Sequence, residues 1–442
     1  MDKKLIFIIG GGILAVILVV VIIVVNSGSK TSVSAGPKGP VVLNVWKTFE
    51  DSEKLEPLFE AYRKKHPNVQ IVYTKKNLEN YKQDLFAALA SGTGPDIFSI
   101  HNSWLPEYMD LVAPAPDKVV SLKDYKNTFV DVVVKDFVKD GKIYGTAMSV
   151  DSLALFYNKD LLGSAGIATP PKTWKELEED VAKIKKSDGK GYFSRSGVAM
   201  GLSKNVNRAV DILYLFMLQQ GAAPFNDDQS QPMFSQNVDK NGSNVNPGLA
   251  ALEFYTSFAN PSSVNYNWNA RSDYSVDAFA NGRAAFLYSY SYMWQTLLAK
   301  NPNLNFEVAP VPQPNLDDVS VNFANYWGEV VSKQSKNQAV AWDFLKFITS
   351  KEQLDKYYTD NKKPSSRKDL VELQAADAEI GIFATANLTA KAFYRPRQQG
   401  MDEIFAKMID KVLLSGFSLE QALEEAEQQA AILTRENEFL EQ

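Results

Sequence analysis

Residues 41–100 alternate short apolar runs with amphipathic segments, and this order restricts the fold more than any other feature of the chain. Segments 41–46, 68–73 and 96–100 have the composition of strands. Segments 54–65 and 81–90, which lie between them, have helical periodicity. This order predicts a parallel sheet with helices on its faces. Ligands of such sheets bind at the carboxyl ends of the strands, so we expect a site in the loops that follow the first and third strands.

The composition excludes several classes of protein. The 442 residues are 45% apolar and 22% charged, which suits a globular chain of two or more domains. The chain has no Cys, and its two His, His66 and His101, are too few for a His-only zinc site. The net charge of −5 argues against a nucleic-acid partner. We therefore expect no metal, no cofactor and no nucleic acid.

Residues 5–25 form an unbroken run of 21 apolar or Gly residues. At about 1.5 Å per residue, a helix of this length spans a hydrocarbon core of about 30 Å. We predict an N-terminal transmembrane anchor over 1–25, followed by a flexible linker over 26–40. Lys3 and Lys4 precede the run and keep the N-terminus in the cytoplasm, so the rest of the chain is extracytoplasmic. A cleaved signal peptide is the alternative, because the triplet at 33–35 has the small residues of a cleavage site.

Five stretches of the sequence resemble a known family. They occur in the family's order and lie at 92–108 (GTGPDIFSIHNSWLPEY), 142–162, 170–181, 279–294 and 326–352. On these residues, segment 41–442 resembles the extracellular solute-binding proteins of ABC importers, in particular the family 1, maltose-binding-like group.

The resemblance implies a two-lobed α/β fold of the periplasmic-binding-protein-like type II, in which a hinge joins the lobes and the ligand binds between them. Lobe 1 is expected to hold 41–149 plus 303–360, and lobe 2 is expected to hold 150–302 plus 361–442. The chain would bind a small polar solute and catalyse no reaction.

Two lobe 1 loops match cleft loops of the family. In the first, Trp46 could stack on a polar ligand and Glu50 could hydrogen-bond to it; alternatively Trp46 is core and Glu50 is solvated. In the second, Asn102, Ser103 and Trp104 follow the third strand. Sugar-binding members often carry an acid and a base there, so this chain departs from the maltodextrin pattern.

Two charged residues match further family positions. Asp151 lies where sugar binders carry a carboxylate beside the hinge, which accepts hydrogen bonds from hydroxyls. A hinge cap or salt bridge is the other interpretation. Arg395 could bind a carboxylate or phosphate, or it could tie the two lobes together.

Aromatic residues near the expected cleft match stacking positions of the family, and flat rings pack on the C–H faces of sugars. These residues are Tyr292, Trp294, Tyr326 and Trp327. Tyr288, Tyr290 and Tyr292 alternate, so a strand would place them on one face. That pattern allows phenolate ligands for ferric iron, but we prefer an aromatic wall.

The resemblance implies an ABC-importer receptor for a mono- or oligosaccharide, which hands the solute to the transmembrane permease subunits. We expect a monomer at the cell membrane, held by a single N-terminal span. Alternatives are a ligand-sensing ectodomain for a membrane partner, or a binder of ferric iron, a polyamine or a sugar phosphate. A glycosidase would need an acid–base pair, for which Glu50, Asp151 and Glu329 are the candidates, but nothing in the sequence requires one.

Overall fold

The structure is a computed structural model that describes residues 39–240 and 242–440. The predicted span over 5–25 and nearly all of the predicted linker lie outside these residues. Among the helices that are described, none combines the length and the apolar character needed to span a membrane. From Val42 onward the chain forms one compact unit.

The strands are mostly short and number in chain order as follows: β1 (Val41–Lys47), β2 (Val69–Lys75), β3 (Ile97–His101), β4 (Val112–Ala113), β5 (Val138–Lys139), β6 (Lys142–Ile143), β7 (Gly145–Thr146), β8 (Ala154–Asn158), β9 (Lys186–Ser187), β10 (Phe193–Val198), β11 (Val238–Lys240), β12 (Ser243–Val245), β13 (Ala284–Ser289), β14 (Phe306–Ala309), β15 (Asn322–Phe323), β16 (Trp327–Ser332) and β17 (Ala390–Lys391).

The helices, in the same order, are α1 (Ser52–Lys65), α2 (Leu78–Ala90), α3 (Leu105–Tyr108), α4 (Leu122–Thr128), α5 (Asp131–Phe137), α6 (Lys159–Ser164), α7 (Trp174–Ile184), α8 (Ala209–Gln220), α9 (Pro247–Ser257), α10 (Ser275–Ala280), α11 (Met293–Lys300), α12 (Gln338–Ile348), α13 (Lys351–Asn361), α14 (Lys368–Gln374), α15 (Gly381–Ala386), α16 (Gln398–Leu414) and α17 (Leu419–Leu440). A short 3-10 helix covers Met109–Leu111.

The first sheet has the strand order β2-β1-β3-β16-β4, and β7 pairs with β16. β1 and β3 are parallel, as the strand–helix order predicts. β16 is antiparallel to β3, so the sheet is mixed rather than purely parallel. The local sequence pattern did not indicate this, because β16 comes from a distant part of the chain.

The second sheet has the strand order β14-β8-β13-β10-β9. β10 and β13 are parallel, whereas β8 is antiparallel to both β13 and β14. Its core includes most of α8, a helix whose apolar residues are buried on every face. β14 lies within the segment that the sequence assigned to lobe 1, so this assignment needs correction at its start. The break at 301–302 is the turn from α11 into β14 within the second lobe, and it is not a hinge crossing.

Three segments connect the part of the chain that forms the first sheet to the part that forms the second. They cover 147–153, 310–326 and 375–380. The first two lie side by side, and the backbone N–H of Leu153 donates to the carbonyl of Phe323 at 3.0 Å. A hinge of several strands therefore joins the two lobes, as the resemblance implied.

Candidate functional site

A cavity of about 560 Å³ lies at the carboxyl ends of β1 and β3 and is lined by residues of both lobes. The strand order predicted this position. Residues that line it and enter the argument below are Lys47, Thr48, Phe49, Glu50, Ser99, His101, Trp104, Asp151, Arg208, Tyr290, Tyr292, Asn325, Trp327, Glu329 and Lys363. The second lobe contributes Arg208, Tyr290 and Tyr292, so a ligand here would contact both lobes.

Aromatic rings form one wall of the cavity. The Trp327 ring lies edge-on to Phe49, with centroids 5.4 Å apart, and edge-on to Trp104, with centroids 5.0 Å apart. Tyr292 lines the cavity from the second lobe and is 42% exposed. Its hydroxyl accepts a hydrogen bond of 3.1 Å from Nε of Arg208, which fixes the ring.

Beside this wall, Lys47 is ion-paired with two acids. Its ammonium contacts the carboxylate of Glu329 in β16 and lies 3.7 Å from Oε2 of Glu50. Burial acts to lower the pKa of Lys47, but the two carboxylates outweigh it and hold the pKa above its usual value. Burial acts to raise the pKa of Glu50, but Lys47 and Lys363 hold that pKa below its usual value. Both groups are therefore charged at neutral pH.

Asp151 occupies the first crossing segment and lines the cavity, as predicted. Its carboxylate accepts hydrogen bonds from the backbone N–H of Ser291, at 3.1 and 3.2 Å, and from the Ser291 hydroxyl at 2.7 Å. Burial raises the pKa of Asp151 to about 6, although the hydrogen bonds from Ser291 oppose that shift. The Asp151 carboxylate thus uses some of its hydrogen-bond acceptor sites to hold the loop after β13 against the hinge.

A buried polar network runs from the first lobe to the second. Nδ2 of Asn325 donates to Oδ2 of Asp211 at 3.3 Å, so its Oδ1 accepts from Nε2 of His101 at 2.9 Å. The Tyr290 hydroxyl also donates to Oδ2 of Asp211, at 2.9 Å. Burial and the Arg395 guanidinium hold the pKa of His101 well below its usual value, so the ring is neutral. These hydrogen bonds connect β3 to α8 and fix their relative position.

Arg395 does not line the cavity. Its side chain is fully buried, and Nη1 lies 3.2 Å from Asp211 and 3.1 Å from Asp402. Its Nη2 lies 3.4 Å from Nε2 of His101. The guanidinium is occupied by two carboxylates of the second lobe, so Arg395 ties parts of that lobe together, and neither the contact with a ligand nor the tie between the two lobes is supported.

Asn102 and Ser103 line a different cavity, of about 400 Å³, which also lies between residues of the two lobes. Nδ2 of Asn102 donates to Oδ2 of Asp136 at 2.9 Å, and the Ser103 hydroxyl bonds to Nδ1 of His101 at 2.8 Å. Trp104, the third residue of that loop, does face the main cavity, where its Nε1 donates to Gln398 at 3.0 Å.

Two of the predicted tryptophans also lie away from the main cavity. Trp46 precedes Lys47 in β1 and points to the other face of the sheet, where the Lys76 ammonium lies 3.9 Å from its ring centroid. Trp294 packs on Phe306 in the second lobe, with centroids 4.8 Å apart. Trp294 is a packing residue of the second lobe. Trp46 is half-buried, so it is neither a cavity residue nor the core residue that the sequence left open as the alternative.

Tyr326 and Trp327 both line the cavity, but their environments differ. The Tyr326 hydroxyl donates to Oδ2 of Asp136 at 2.8 Å and is buried, so this ring is held by the first lobe.

β13 ends at Ser289, and Tyr288 lies in the core of the second lobe. The three alternating tyrosines therefore do not form a common face on a strand.

The sequence analysis did not select several residues of the cavity as ligand contacts, among them Lys47, Phe49, Arg208, Tyr290 and Asn325. A signal existed for the strand residues, because alternate residues of a strand share a face. Glu329 lies two residues after Trp327 in β16, so it is on the same face as a residue that the sequence selected. Ser99 and His101 alternate along β3 and lead into the loop that the sequence selected. Arg208 gave no such signal, since it lies in a loop before α8 with a left-handed backbone.

Comparisons of the whole chain identify its relatives. A family profile described as "Bacterial extracellular solute-binding protein" matches residues 57–384. A binding protein of Brucella abortus is 25% identical over 370 residues, covering 80% of this chain and 84% of that protein. The maltodextrin-binding protein MdxE of Bacillus subtilis is 24% identical over 352 residues, covering 77% of this chain and 76% of that protein. The diacetylchitobiose-binding protein DasA of Streptomyces coelicolor is 25% identical over 378 residues, covering 81% and 79%.

Solved structures confirm the two-lobed fold. The sugar-binding protein MalE of Xanthomonas citri superposes with a TM-score of 0.76 at 22% identity and covers 90% of this chain and 98% of that chain. A cyclo/maltodextrin-binding protein complexed with maltotetraose superposes with a TM-score of 0.72 at 20% identity, covering 91% and 98%. Since the family profile spans more than half of the residues, this chain belongs to the bacterial extracellular solute-binding protein family.

Proposed function

We propose that this chain is the solute receptor of an ABC importer, which captures a mono- or oligosaccharide in the inter-lobe cavity and delivers it to the permease. One observation carries the proposal: flat aromatic faces and ionised hydrogen-bonding groups line the same cavity. Aromatic rings pack on the C–H faces of a sugar, and carboxylates and amides bind its hydroxyls. The volume of about 560 Å³ lies within the usual range for small-molecule sites.

The relatives support a saccharide over other solutes. Four of them are named for maltodextrin, galactooligosaccharide, arabinooligosaccharide and diacetylchitobiose. The Brucella relatives are named for no solute, and one relative, 27% identical over 177 residues, is named for sn-glycerol 3-phosphate. The cavity also differs from what ferric iron would require, because Tyr288 lies in the core of the second lobe, away from Tyr292. Binding without chemistry fits the acids as well, since Glu329 is paired with Lys47 and Asp151 accepts from Ser291.

Transport would follow from closure of the lobes over the solute. A sugar that touches Trp327 on the first lobe and Tyr292 on the second binds best when the lobes are closed, so it shifts the population toward that state. We propose that the permease subunits recognise the closed, loaded monomer. Family membership supports an extracellular or periplasmic location. The predicted helix over 1–25 would hold the lobes at the outer face of the membrane.

The proposal is tested by screening the chain against saccharides, ferric iron, polyamines and sugar phosphates by thermal shift, followed by calorimetry on the tightest binder. A ligand that binds only the folded state raises its stability by about 2.7 kcal/mol at 100 times its dissociation constant. We expect saccharides to give the shift. A shift produced only by iron, polyamines or phosphates would contradict the saccharide assignment.

Trp327→Ala tests the aromatic wall. Loss of the stacking surface should weaken saccharide binding by at least about tenfold, because the ring lies between Phe49 and Trp104 at the cavity wall. Trp46→Ala is the matched control, since it removes the same ring from the other face of the sheet and should leave the affinity within twofold. Equal effects of the two substitutions would mean that the loss reflects stability and not contact with the sugar.

A further inference from the structure

Three buried oxygen atoms on residues that line the cavity have no hydrogen-bond partner of good geometry among the described protein atoms. They are Oγ1 of Thr48, Oγ of Ser99 and Oε2 of Glu329. Their residues are only 6%, 2% and 2% exposed. A buried polar atom without a partner is costly and rare, so three of them around one cavity point to a ligand that satisfies them.

Strand pairing explains why these atoms lie together. Glu329 of β16 is directly opposite Ser99 of β3, and residues that pair across strands share a face. Lys47, at the end of β1, reaches the same place, because its ammonium contacts Glu329. Thr48 is the next residue along the chain. Trp327 is two residues before Glu329 in β16, so its ring borders the same patch.

Charge limits what this patch accepts. The ammonium of Lys47 is paired with Glu329 and Glu50, and Lys363 lies close enough to Glu50 to lower its pKa. Two positive and two negative side chains, Lys47, Lys363, Glu50 and Glu329, therefore line this part of the cavity. A ligand with a net charge would lose its hydration here without gaining a counter-charge. A neutral group that donates hydrogen bonds, such as a hydroxyl, fits better.

Glu329 and Asp151 differ in how much of each carboxylate is already used. Asp151 accepts hydrogen bonds from Ser291 on both of its oxygens. Glu329 uses Oε1 to pair with Lys47, and the backbone N–H of Met148 lies near enough to lower the pKa of this carboxyl, but its Oε2 makes no hydrogen bond of good geometry within the described residues. A sugar hydroxyl gains more at Glu329, because it there satisfies an atom that the protein leaves unsatisfied.

We propose that Thr48, Ser99 and Glu329 form a specificity subsite for the hydroxyl groups of one neutral sugar ring, stacked beside Trp327. The inference rests on the proposed saccharide-binding function and goes further by naming the selecting residues. Glu329 accepts from a ring hydroxyl, while the Thr48 and Ser99 hydroxyls donate or accept according to the ring's stereochemistry. Sugar phosphates and amino sugars are excluded by the balanced charge of the subsite.

The test is calorimetric titration of the folded chain with glucose, maltose, cellobiose and xylobiose, and with glucose 6-phosphate and glucosamine as charged probes. Ser99→Ala and Thr48→Val should each weaken binding of the tightest neutral sugar about 5- to 10-fold. Neither should lower the unfolding midpoint of the ligand-free protein, because each removes a hydroxyl that has no protein partner. Glu329→Gln should weaken binding more than Asp151→Asn does.

Ser289→Ala is the matched control. Its hydroxyl is buried and also lacks a protein partner, but it lies in β13 and does not line the cavity. This substitution should leave both the midpoint and the affinity unchanged.

Each outcome gives a decision. If a neutral sugar binds the native chain and both Ser99→Ala and Thr48→Val retain its affinity within twofold, the subsite is wrong while the proposed function stands. A charged probe that binds more tightly than glucose would overturn the neutral specificity. If no saccharide of the wider thermal-shift screen binds the native chain, the proposed function fails and the subsite fails with it.

Discussion

Burial and neighbouring charges shift the pKa of individual carboxyl groups in opposite directions in this protein. Burial raises the pKa of Asp136 and of Asp151 to about 6 each. At Glu50 the nearby Lys47 ammonium outweighs burial, and the pKa falls below its usual value. These acids lie within the polar contacts that hold β3, β16 and the hinge together. These carboxyl groups therefore contribute to the pH dependence of stability.

Asp136 offers a clean test of this point. Its Oδ2 accepts from both Nδ2 of Asn102 and the Tyr326 hydroxyl, so the side-chain oxygen of an asparagine can replace it without loss of either bond. The folded pKa of about 6 lies above the usual value of 3.8, so the folded protein binds more protons between these values. The contribution of Asp136 to stability is thus complete below pH 3.8 and is lost as the pH rises through 6.

We expect Asp136→Asn to remove this loss, which amounts to about 2 kcal/mol between pH 4 and pH 7. Urea unfolding at several pH values measures the free energy of unfolding. In Asp136→Asn this free energy should fall less steeply as the pH rises, and it should be higher at pH 7 than in the native chain. Asp318→Asn, which changes an exposed aspartate, should leave the slope as it is. An unchanged slope in Asp136→Asn would show that the carboxyl is ionised without penalty in the folded protein.

The sequence predicted single site residues well where alternation or a loop position determined which way they face. Trp104, Asp151 and Trp327 line the cavity because each lies at an end of a strand or in a crossing segment. Trp46 does not, because it lies on the opposite face of β1 from Lys47, where Val42 and Asn44 are exposed, and the sequence does not show which face meets the cavity. Arg395 could not be assigned from sequence either, because its partners, Asp211 and Asp402, are contributed by other parts of the second lobe.

At the scale of elements, one buried amide links several segments at the hinge. Nδ2 of Asn387, just after α15, donates to the carbonyls of Val150 at 2.7 Å and Ser365 at 2.9 Å. Its Oδ1 accepts from the Ser152 hydroxyl at 2.6 Å. Asn387 is fully buried, so water cannot replace these bonds. One side chain thereby connects the first crossing segment to two segments from much later in the chain.

Asn387→Ala should lower the free energy of unfolding by about 3 kcal/mol, because it leaves two buried carbonyl groups and one hydroxyl without their partner. Thermal and urea unfolding measure this loss directly. The exposed Asn303→Ala serves as the control and should change stability by less than about 0.5 kcal/mol. If both variants unfold alike, the amide does not hold the hinge.

The order of local elements was predictable, whereas their assembly was not. The predicted strands and helices over 41–100 correspond to β1, α1, β2, α2 and β3 to within a few residues. Each has its own periodicity or turn signal, which a short window of sequence contains. The insertion of β16 beside β3 and the pairing of β14 with β8 depend on contacts between distant segments. No local pattern specifies such pairings, so the predicted lobe boundary at 303 was placed too early.

At the scale of the whole molecule, the cavity and the predicted membrane anchor belong to different parts of the chain. The compact unit that begins at Val42 contains both sheets and every residue that lines the cavity, from Lys47 onward. The apolar run over 5–25 precedes it, separated by the predicted linker over 26–40. Lateral attachment by a span of this kind would keep the receptor near its permease without altering the cavity.

Deletion of residues 1–38 should therefore leave the affinity for the tightest saccharide within twofold of the full chain in detergent, because no group that lines the cavity is removed. The same deletion should move the protein from the membrane fraction to the soluble fraction, since a run of 21 apolar residues is long enough to hold a protein in a bilayer. Calorimetry measures the first effect and fractionation of expressing cells measures the second. Replacement of the linker 26–38 by a Gly/Ser segment of equal length is the control and should change neither. If the chain expressed from the full sequence is found in the soluble fraction and has lost its N-terminal residues, the apolar run is instead a cleaved signal peptide.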